Sequence, residues 1–320
     1  MIPYHVHLTD IFHPHGDPDD HFDLALAFAL HAAGYTELGR VVMDYPPAHR
    51  VGDPALCAVA QLNEITGSDV RACVAPKDTE AAGRFILSVL REAPRPVTFT
   101  VVGTTESIAA AIRMAPELFR EKCAGIYLAA GSGKETEGGP LEYNVNLHAA
   151  SYATMFTAPC PLYWAPCFQT ILPGGYQCGG EYGSVFALRH KELLESLSPR
   201  MQQYFLYMLS RSADPKYLRY LDTSVDADLL KEQGEVQRRL WSAPLLLHLA
   251  GIPCESYEFV PVHAVCAPDG HLTWEPAKES LQTIFRMKQN DRETEDSFDM
   301  TGSYKEEMLA KLKEFLGRLA

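Results

Sequence analysis

His5-Val6-His7-Leu8-Thr9-Asp10, then His13-Pro14-His15-Gly16-Asp17-Pro18-Asp19-Asp20, then Phe22-Asp23-Leu24-Ala25-Leu26-Ala27-Phe28-Ala29-Leu30 is the stretch whose reading decides the fold. Its first six residues form a short extended run with apolar Val6 and Leu8, ending in a carboxylate. A Gly/Pro-containing loop supplies three more carboxylates before an apolar helix begins. In open α/β sheets, ligands bind in the crevice beyond the carboxyl ends of parallel strands, where such loops sit. Four Asp within eleven residues repel one another, so a fold that gathers them needs a cation or proton sharing. A solvated acidic turn, with Asp20 capping the helix, accounts for the same residues.

Outward from this stretch, short apolar runs alternate with helical patterns, the signature of βαβ units. Strands are expected at His5–Asp10, Arg40–Asp44, Val70–Val74, Val97–Val102, Gly125–Ala129 and Leu162–Ala165. Helices are expected at Phe22–Ala33, Ala55–Thr66, Glu80–Arg91, Ser107–Met114 and His148–Phe156. The strands end repeatedly in Asp or Gly (Asp10, Asp44, Gly103, Gly131), and that edge is where a site is expected. Beyond Pro166 the rhythm changes to helices around Lys191–Leu209 and Ala227–Leu249. A hairpin of Ser256–Val265 and His271–Trp274 turns across Pro268-Asp269-Gly270. Lys288–Asp299 reads as a solvated, mobile loop, and a last helix over Tyr304–Leu319 carries Met308, Leu312, Phe315 and Leu319 on one face. The fold class is therefore α/β: a doubly wound, mostly parallel sheet flanked by helices, with a late β-hairpin, in a single domain over residues 1–320.

The 320 residues suffice for one large core, and a charged fraction of 22% with a hydrophobic fraction of 47% is ordinary for a soluble globular chain. A net charge of -13 leaves no basic excess to neutralise phosphates, so neither nucleic acid nor an anionic membrane is expected as a partner. Met1-Ile2-Pro3-Tyr4 leads straight into the first strand without a basic or apolar leader, and no apolar run approaches a span, so a cytoplasmic protein is expected. The eight cysteines are scattered without a CxxC pair, arguing against a zinc ribbon and for reduced, buried thiols. Two weak strings are set aside. Gly131-Ser132-Gly133-Lys134-Glu135 lacks the first glycine and the Ser/Thr of a phosphate-binding loop, and Phe12 stands where an Asp-x-Asp phosphotransferase needs its second carboxylate.

Several segments taken together resemble the nucleoside hydrolase family. Val97–Gly103 with Thr104-Thr105-Glu106-Ser107-Ile108 is similar to its strand ending in a G-P-x-T-N-type turn. Gly125-Ile126-Tyr127-Leu128-Ala129-Ala130-Gly131 resembles its V-x-M-G-G strand, and Gly138-Gly139-Pro140-Leu141-Glu142-Tyr143-Asn144 its A-E-F-N motif. The N-terminal Asp loop is a looser, longer version of D-x-D-P-G-x-D-D, nearer to a branch with a T-D…P-D-D opening. Phe259–His263 and Asp269–Thr273 resemble the late hairpin. The likeness covers about two thirds of the chain, chiefly residues 4–165.

The resemblance implies a hydrolase of the N-glycosidic bond of a nucleoside or a related sugar conjugate, with Ca²⁺ as cofactor and a homodimer or homotetramer as assembly. Asp10 and Asp20, with the Val102 carbonyl, would be metal ligands, and Asp10 the base towards water on the metal. Asp19, Glu142 and Asn144 would hold ribose hydroxyls; Glu142 and Asn144 alternate along an extended segment and face the same way. Asp44 falls where the family usually carries Asn, at a substrate-binding position. His13, His15 and Asp17 have no counterparts; imidazoles from His13 and His15 would favour a transition metal over Ca²⁺. The family's late H-D-P-L-type motif is matched by Trp241-Ser242-Ala243-Pro244-Leu245, where Ser242 and Ala243 replace its His and Asp. Fewer charged ligands weaken Ca²⁺ binding. A non-catalytic sugar- or metal-binding relative is thus the alternative.

Overall fold

The computed structural model describes residues 2–14, 18–46, 52–134, 139–172, 175–178, 180–288, 292–293 and 300–320. Nine strands form its main sheet: β1 Tyr4–Thr9, β2 Glu37–Met43, β3 Arg71–Val74, β4 Val97–Val101, β5 Cys123–Ala129, β6 Leu162–Ala165, β7 Tyr257–Cys266, β8 Leu272–Pro276 and β9 Gln282–Met287. Their order is β8-β7-β9-β6-β5-β4-β1-β2-β3. From β3 to β9 every neighbouring pair is parallel, and β7 runs antiparallel to both β9 and β8. The chain builds outward from β1 in one direction to β3, then returns to place β4 on the other side of β1. Strand order therefore reverses between β1 and β4, and the crevice for a ligand opens there, beyond Thr9 and Val101.

The expected strands and helices of the first half are present with small shifts at their ends. Helices α1 Asp19–Ala32, α2 Leu56–Thr66, α3 Thr79–Glu92, α4 Glu106–Met114 and α5 Pro116–Lys122 connect the first five strands, while α6 Tyr143–Leu147 and α7 Ala149–Met155 precede β6. Helix α1 is buried continuously from His21 to Leu30, because later helices cover the side that faces away from the sheet. Val6, Val42, Phe99, Val101, Ile126 and Leu128 pack on one face with α3, α4 and α7; Val41, Met43, Tyr127 and Ala129 pack on the other with α1 and the later helices. Both faces are covered, which explains why the strands read as continuous apolar runs.

The second half departs from the expected elements. The Lys191–Leu209 helix is two, α8 His190–Leu194 and α9 Pro199–Leu209, and Pro199 occupies the first turn of α9 with Ser198 capping it. After α10 Tyr217–Tyr220, the Ala227–Leu249 helix resolves into α11 Ala227–Gly234, a strand Gln237–Leu240 and α12 Ala243–Leu249. Pro244 has no N–H to donate and fits only an opening turn, so α12 must start afresh there. Strand Gln237–Leu240 pairs with Phe186–Arg189, and this small ribbon brings Arg239 and Trp241 to the mouth of the crevice. The late hairpin forms as expected, with the unpredicted β9 joining it to β6. Most of the segment Lys288–Asp299 lies outside the described residues. The final helix, α13 Ser303–Leu316, buries Met308, Leu312 and Phe315. No described helix is long and apolar enough to cross a membrane.

Candidate active site

A cleft of about 490 Å³ opens at the reversal point of the sheet, lined on its acidic side by Asp10, Asp19, Asp20, Glu142 and Asn144. Asp10 follows β1 directly and Val102 follows β4; the Val102 N–H donates to the Leu8 carbonyl at 3.0 Å, which ties the two strand ends together. Gly103 comes next, and the fold leaves it no room for a side chain. A Cβ there would stand 2.8 Å from the Asp10 backbone nitrogen and 2.5 Å from Asp44 Oδ2. Close passage of β4 behind Asp10 thus depends on that glycine.

Asp19 and Asp20 lie in the first turn of α1, so their charge faces the positive end of the helix. Pro18, not Asp20, occupies the capping position, and among the described residues no side chain caps this helix. Burial, then the charges of Asp19 and Asp10, a hydrogen bond with Asp10 and the charge of Asp23 hold the Asp20 carboxyl well above the usual range. One turn further along α1, burial raises Asp23 to about 7 against the lowering effect of its hydrogen bond with Ser242. Ser242 itself lines the cleft. Asp23 therefore brings a carboxyl group up to Ser242, a role its place inside an apolar helix concealed.

Glu142 and Asn144 do not alternate along a strand. Glu142 is the N-cap of the short helix α6 and Asn144 lies in its first turn. The Glu142 carboxylate accepts the N–H groups of Gly131 (3.0 Å), Asn144 (2.9 Å) and Val145 (3.3 Å). Burial raises its pKa, while those three donors pull it down and Asp10 raises it slightly further. A carboxylate has about four lone-pair sites, so three backbone donors leave Oε1 one acceptor position for a ligand. Asn144 Nδ2 donates to the Val102 carbonyl at 3.2 Å, and Asn144 Oδ1 meets no donor among the described residues.

The cleft also has an aromatic lining that the sequence did not indicate. Phe168 stacks on Tyr176 with ring centres 4.3 Å apart and meets Trp241 edge-on at 6.0 Å, while Arg239, Tyr143 and Cys167 complete the lining. Phe168 and Tyr176 are brought together by the pairing of Thr170–Leu172 with Gly175–Gln177, and Trp241 reaches them from a segment far off in sequence. Trp241 was legible only as a neighbour of the Ser242-Ala243 departure.

Two expected positions, Asp44 and His13, fall elsewhere. Asp44 is buried beside the cleft and accepts the Thr104 N–H at 2.8 Å, opening instead on a second cleft that shares Asp10. His13 is neither exposed nor in the site: its Nε2 sits 2.5 Å from the Ser212 carbonyl and its ring stacks on Tyr207 at 4.9 Å. Its imidazole is thereby committed to the α9 side of the core, and it brings no transition-metal ligand to the cleft. His15 and Asp17 lie outside the described residues.

Among the described residues, no group of three or more His, Cys, Asp or Glu is placed to hold a metal ion. The cleft does present an oxygen-only set suited to a hard cation: the hydrogen-bonded pair Asp10 and Asp20 with the Val102 carbonyl. A carbonyl oxygen has two lone pairs, so its bond from Asn144 does not exhaust Val102. These half-buried carboxylates fit a cation by charge and donor type.

The chain is similar along its whole length to solved structures with nucleoside hydrolase folds. An inosine-uridine preferring nucleoside hydrolase from Bacillus anthracis matches with a TM-score of 0.52 at 12% identity, covering 98% of this chain and 99% of that one. The plant nucleoside hydrolase PpNRh1 matches with a TM-score of 0.51 at 13% identity, covering 99% of both chains. The effector protein XOO4466 matches with a TM-score of 0.51 at 14% identity, covering 99% of this chain and 95% of that one. No protein-family model matches the sequence, and no curated protein matches it significantly. The fold is the nucleoside-hydrolase-like fold, in a divergent sequence.

Proposed function

We propose that this protein is a hydrolase that cleaves a ribose-like sugar from a planar aromatic leaving group, as in a nucleoside. The observation that supports this best is the convergence of Asp10, Asp19, Asp20, Glu142 and Asn144 at the sheet reversal, in a cleft whose lining also includes Phe168, Tyr176 and Trp241. The acidic side suits sugar hydroxyls and a developing positive charge, and the aromatic side suits a flat ring system.

In this reaction the water oxygen bonds to the anomeric carbon as the C–N bond breaks and its electron pair leaves with the aromatic group. A water proton passes to Asp10. Asp19, the remaining Oε1 position of Glu142 and the Asn144 side chain are the groups that meet the sugar hydroxyls. Carboxyl groups around the anomeric carbon favour the oxocarbenium-like transition state over the neutral sugar. Ca²⁺, held by Asp10, Asp20 and the Val102 carbonyl, would orient vicinal hydroxyls and acidify the attacking water. The aromatic wall stacks against the leaving group and keeps it in line.

Ser242 and Ala243, standing where the resembled family carries a His and an Asp, favour one second reading: a relative that binds the sugar without cleaving it. A panel of purine and pyrimidine nucleosides, incubated with Ca²⁺ or with chelator and assayed for reducing sugar, separates the two. Calcium-dependent release from any member supports the hydrolase. Saturable binding across the panel with no release refutes it in favour of the binder.

A further inference from the structure

β1 and β4 share a buried polar strip behind the cleft. His5 and His7 alternate with Val6 and Leu8, so their rings turn to the side of the sheet covered by α1 and the later helices. There His7 lies in register with Thr100 of β4, between Val41 on β2 and Tyr127 on β5. His5, His7 and Thr100 are fully buried. His5 Nε2 lies 2.8 Å, and His7 Nδ1 2.6 Å, from the one Thr100 hydroxyl oxygen. We propose that Thr100 is a positioning residue for the cleft: its single hydroxyl hydrogen locks His5 and His7 into one shared tautomer, and the resulting bridge fixes β1 against β4 behind Asp10 and the Val102 carbonyl. The positioning role rests on the reading of those two groups as cation ligands.

The lock comes from the number of hydrogens present. A threonine hydroxyl donates one hydrogen and accepts into two lone pairs, and a neutral imidazole has one N–H and one bare nitrogen. Burial keeps both rings neutral, lowering His7 to about 3 and His5 well below its ordinary value. If Thr100 donates to His7 Nδ1, it accepts from His5 Nε2–H, and both rings carry their hydrogen on Nε2. If it donates to His5 Nε2, it accepts from His7 Nδ1–H, and both carry it on Nδ1. Of the mixed states, one aims two nitrogen lone pairs at a single hydrogen. The other gives the oxygen two N–H groups and strands its own hydrogen, since no third group among the described residues bonds this hydroxyl. An unmade bond at a buried hydroxyl is costly, so the two rings change tautomer together or not at all. Nothing else sets either ring: His5 Nδ1 and His7 Nε2 have no partner among the described residues.

The bridge sits where register matters. β1 pairs with β4 without interruption from Tyr4 and Val97 to Leu8 and Val101, while its pairing with β2 shifts between His5 and Val6. A slip of β1 by one residue would turn both rings onto the apolar face lined by Val6, Leu8, Phe99 and Val101, away from Thr100. Asp10 lies three residues beyond His7, and Val102 two beyond Thr100. One residue of slip is about 3.3 Å, more than a whole Ca²⁺–oxygen distance of about 2.3–2.6 Å. The separation of the two oxygen ligands therefore inherits the register that the bridge holds.

The test uses the full chain labelled with ¹⁵N in its histidines. Long-range ¹H–¹⁵N spectra at neutral pH show which nitrogen of each ring bears the hydrogen, and calorimetric titration with Ca²⁺ reports on the cleft. His5 and His7 should show the same tautomer in the wild type and in Thr100→Ser, which keeps the hydroxyl and should keep the Ca²⁺ affinity. Thr100→Val keeps the shape and loses the hydroxyl. At a temperature where it is folded, its Ca²⁺ affinity should fall about fivefold or more, the scale of one lost hydrogen bond. Thr100→Ala serves the same comparison if the valine variant does not fold. Opposite tautomers in the wild type would overturn the lock. A folded variant without the hydroxyl that keeps wild-type Ca²⁺ affinity, with only its Tm reduced, would make the bridge purely structural and overturn the positioning role. If the wild type takes up no Ca²⁺, the cation reading of the cleft falls and the positioning role falls with it, while the spectra still decide the lock.

Discussion

Replacing Glu142 by Gln should cost both folding stability and sugar binding, a double effect that its placement at the head of α6 dictates. The carboxylate accepts three backbone N–H groups, two on Oε2 and one on Oε1. A glutamine can put its single oxygen at the Oε2 position and keep Gly131 and Val145, but its NH₂ then confronts the Asn144 N–H. One hydrogen bond to a charged acceptor is lost, worth about 1.5–3 kcal/mol. Removing a buried charge returns part of this, since burial already raises the Glu142 pKa. The net loss should be about 2 kcal/mol. With an unfolding entropy of about 2.1 cal/mol/K per residue, a chain of 320 residues loses roughly 3 °C in Tm for that change. Asn144→Ala gives up only the Nδ2 bond to Val102 and should lose about half as much. Differential scanning calorimetry and ribose titration on both variants provide the readouts. An unchanged or higher Tm for Glu142→Gln would refute the capping role, and an unchanged ribose affinity in both folded variants would refute the clamp.

Three further outcomes follow. Gly103→Ala puts a Cβ 2.8 Å from the Asp10 backbone nitrogen, so it should destabilise the fold by about 1–3 kcal/mol and weaken ligand binding together, as urea titration and calorimetry will report. Burial lowers His7 to about 3 and takes His5 well below its ordinary value, both rings being held neutral on Thr100 Oγ1. The unfolded chain binds those protons first, so their contribution is whole above about 6.5 and is lost as pH falls towards 3, at about 1.4 kcal/mol per unit per histidine. Asp23, raised to about 7, works in the opposite sense, so the quantity to measure is the stability difference between wild type and His7→Gln. That difference should move against the wild type by about 2 kcal/mol between pH 7 and pH 5, and a constant difference would contradict the buried neutral ring. Finally, Ca²⁺ at 100 times its Kd should stabilise the native protein by about 2.7 kcal/mol; Asp20→Asn should abolish the shift in Tm, and an equal shift in the variant would place the ion elsewhere.

The parallel strands were legible because both faces of the sheet are buried, which makes Val97–Val101 and Leu162–Ala165 apolar without interruption. The acidic side of the cleft was legible for a related reason. Asp10, Asp19 and Asp20 stood out as carboxylates clustered where the first apolar run ends, whereas Val102, Glu142 and Asn144 were placed by the resemblance to nucleoside hydrolases. The aromatic lining was not, since Trp241 joins Phe168 and Tyr176 only through tertiary packing. Asp23 was hidden by its position inside a continuously buried stretch of helix, where only the hydrogen bond to Ser242 reveals its use. His13 misled for the opposite reason: a His-Pro-His turn next to carboxylates looks like a ligand set, yet its ring is spent on Ser212 and Tyr207. The broken Ala227–Leu249 helix could have been read from Gly234 and Pro244, which end one helix and begin another.

A crystal structure of the protein grown with Ca²⁺ and ribose tests the central claim most directly. The account predicts an ion on Asp10, Asp20 and the Val102 carbonyl at about 2.3–2.6 Å, with the ribose hydroxyls on Asp19, Glu142 and Asn144. Asp10 and Asp20 pointing apart around no ion, with ribose absent from the acidic side of the cleft, would contradict it.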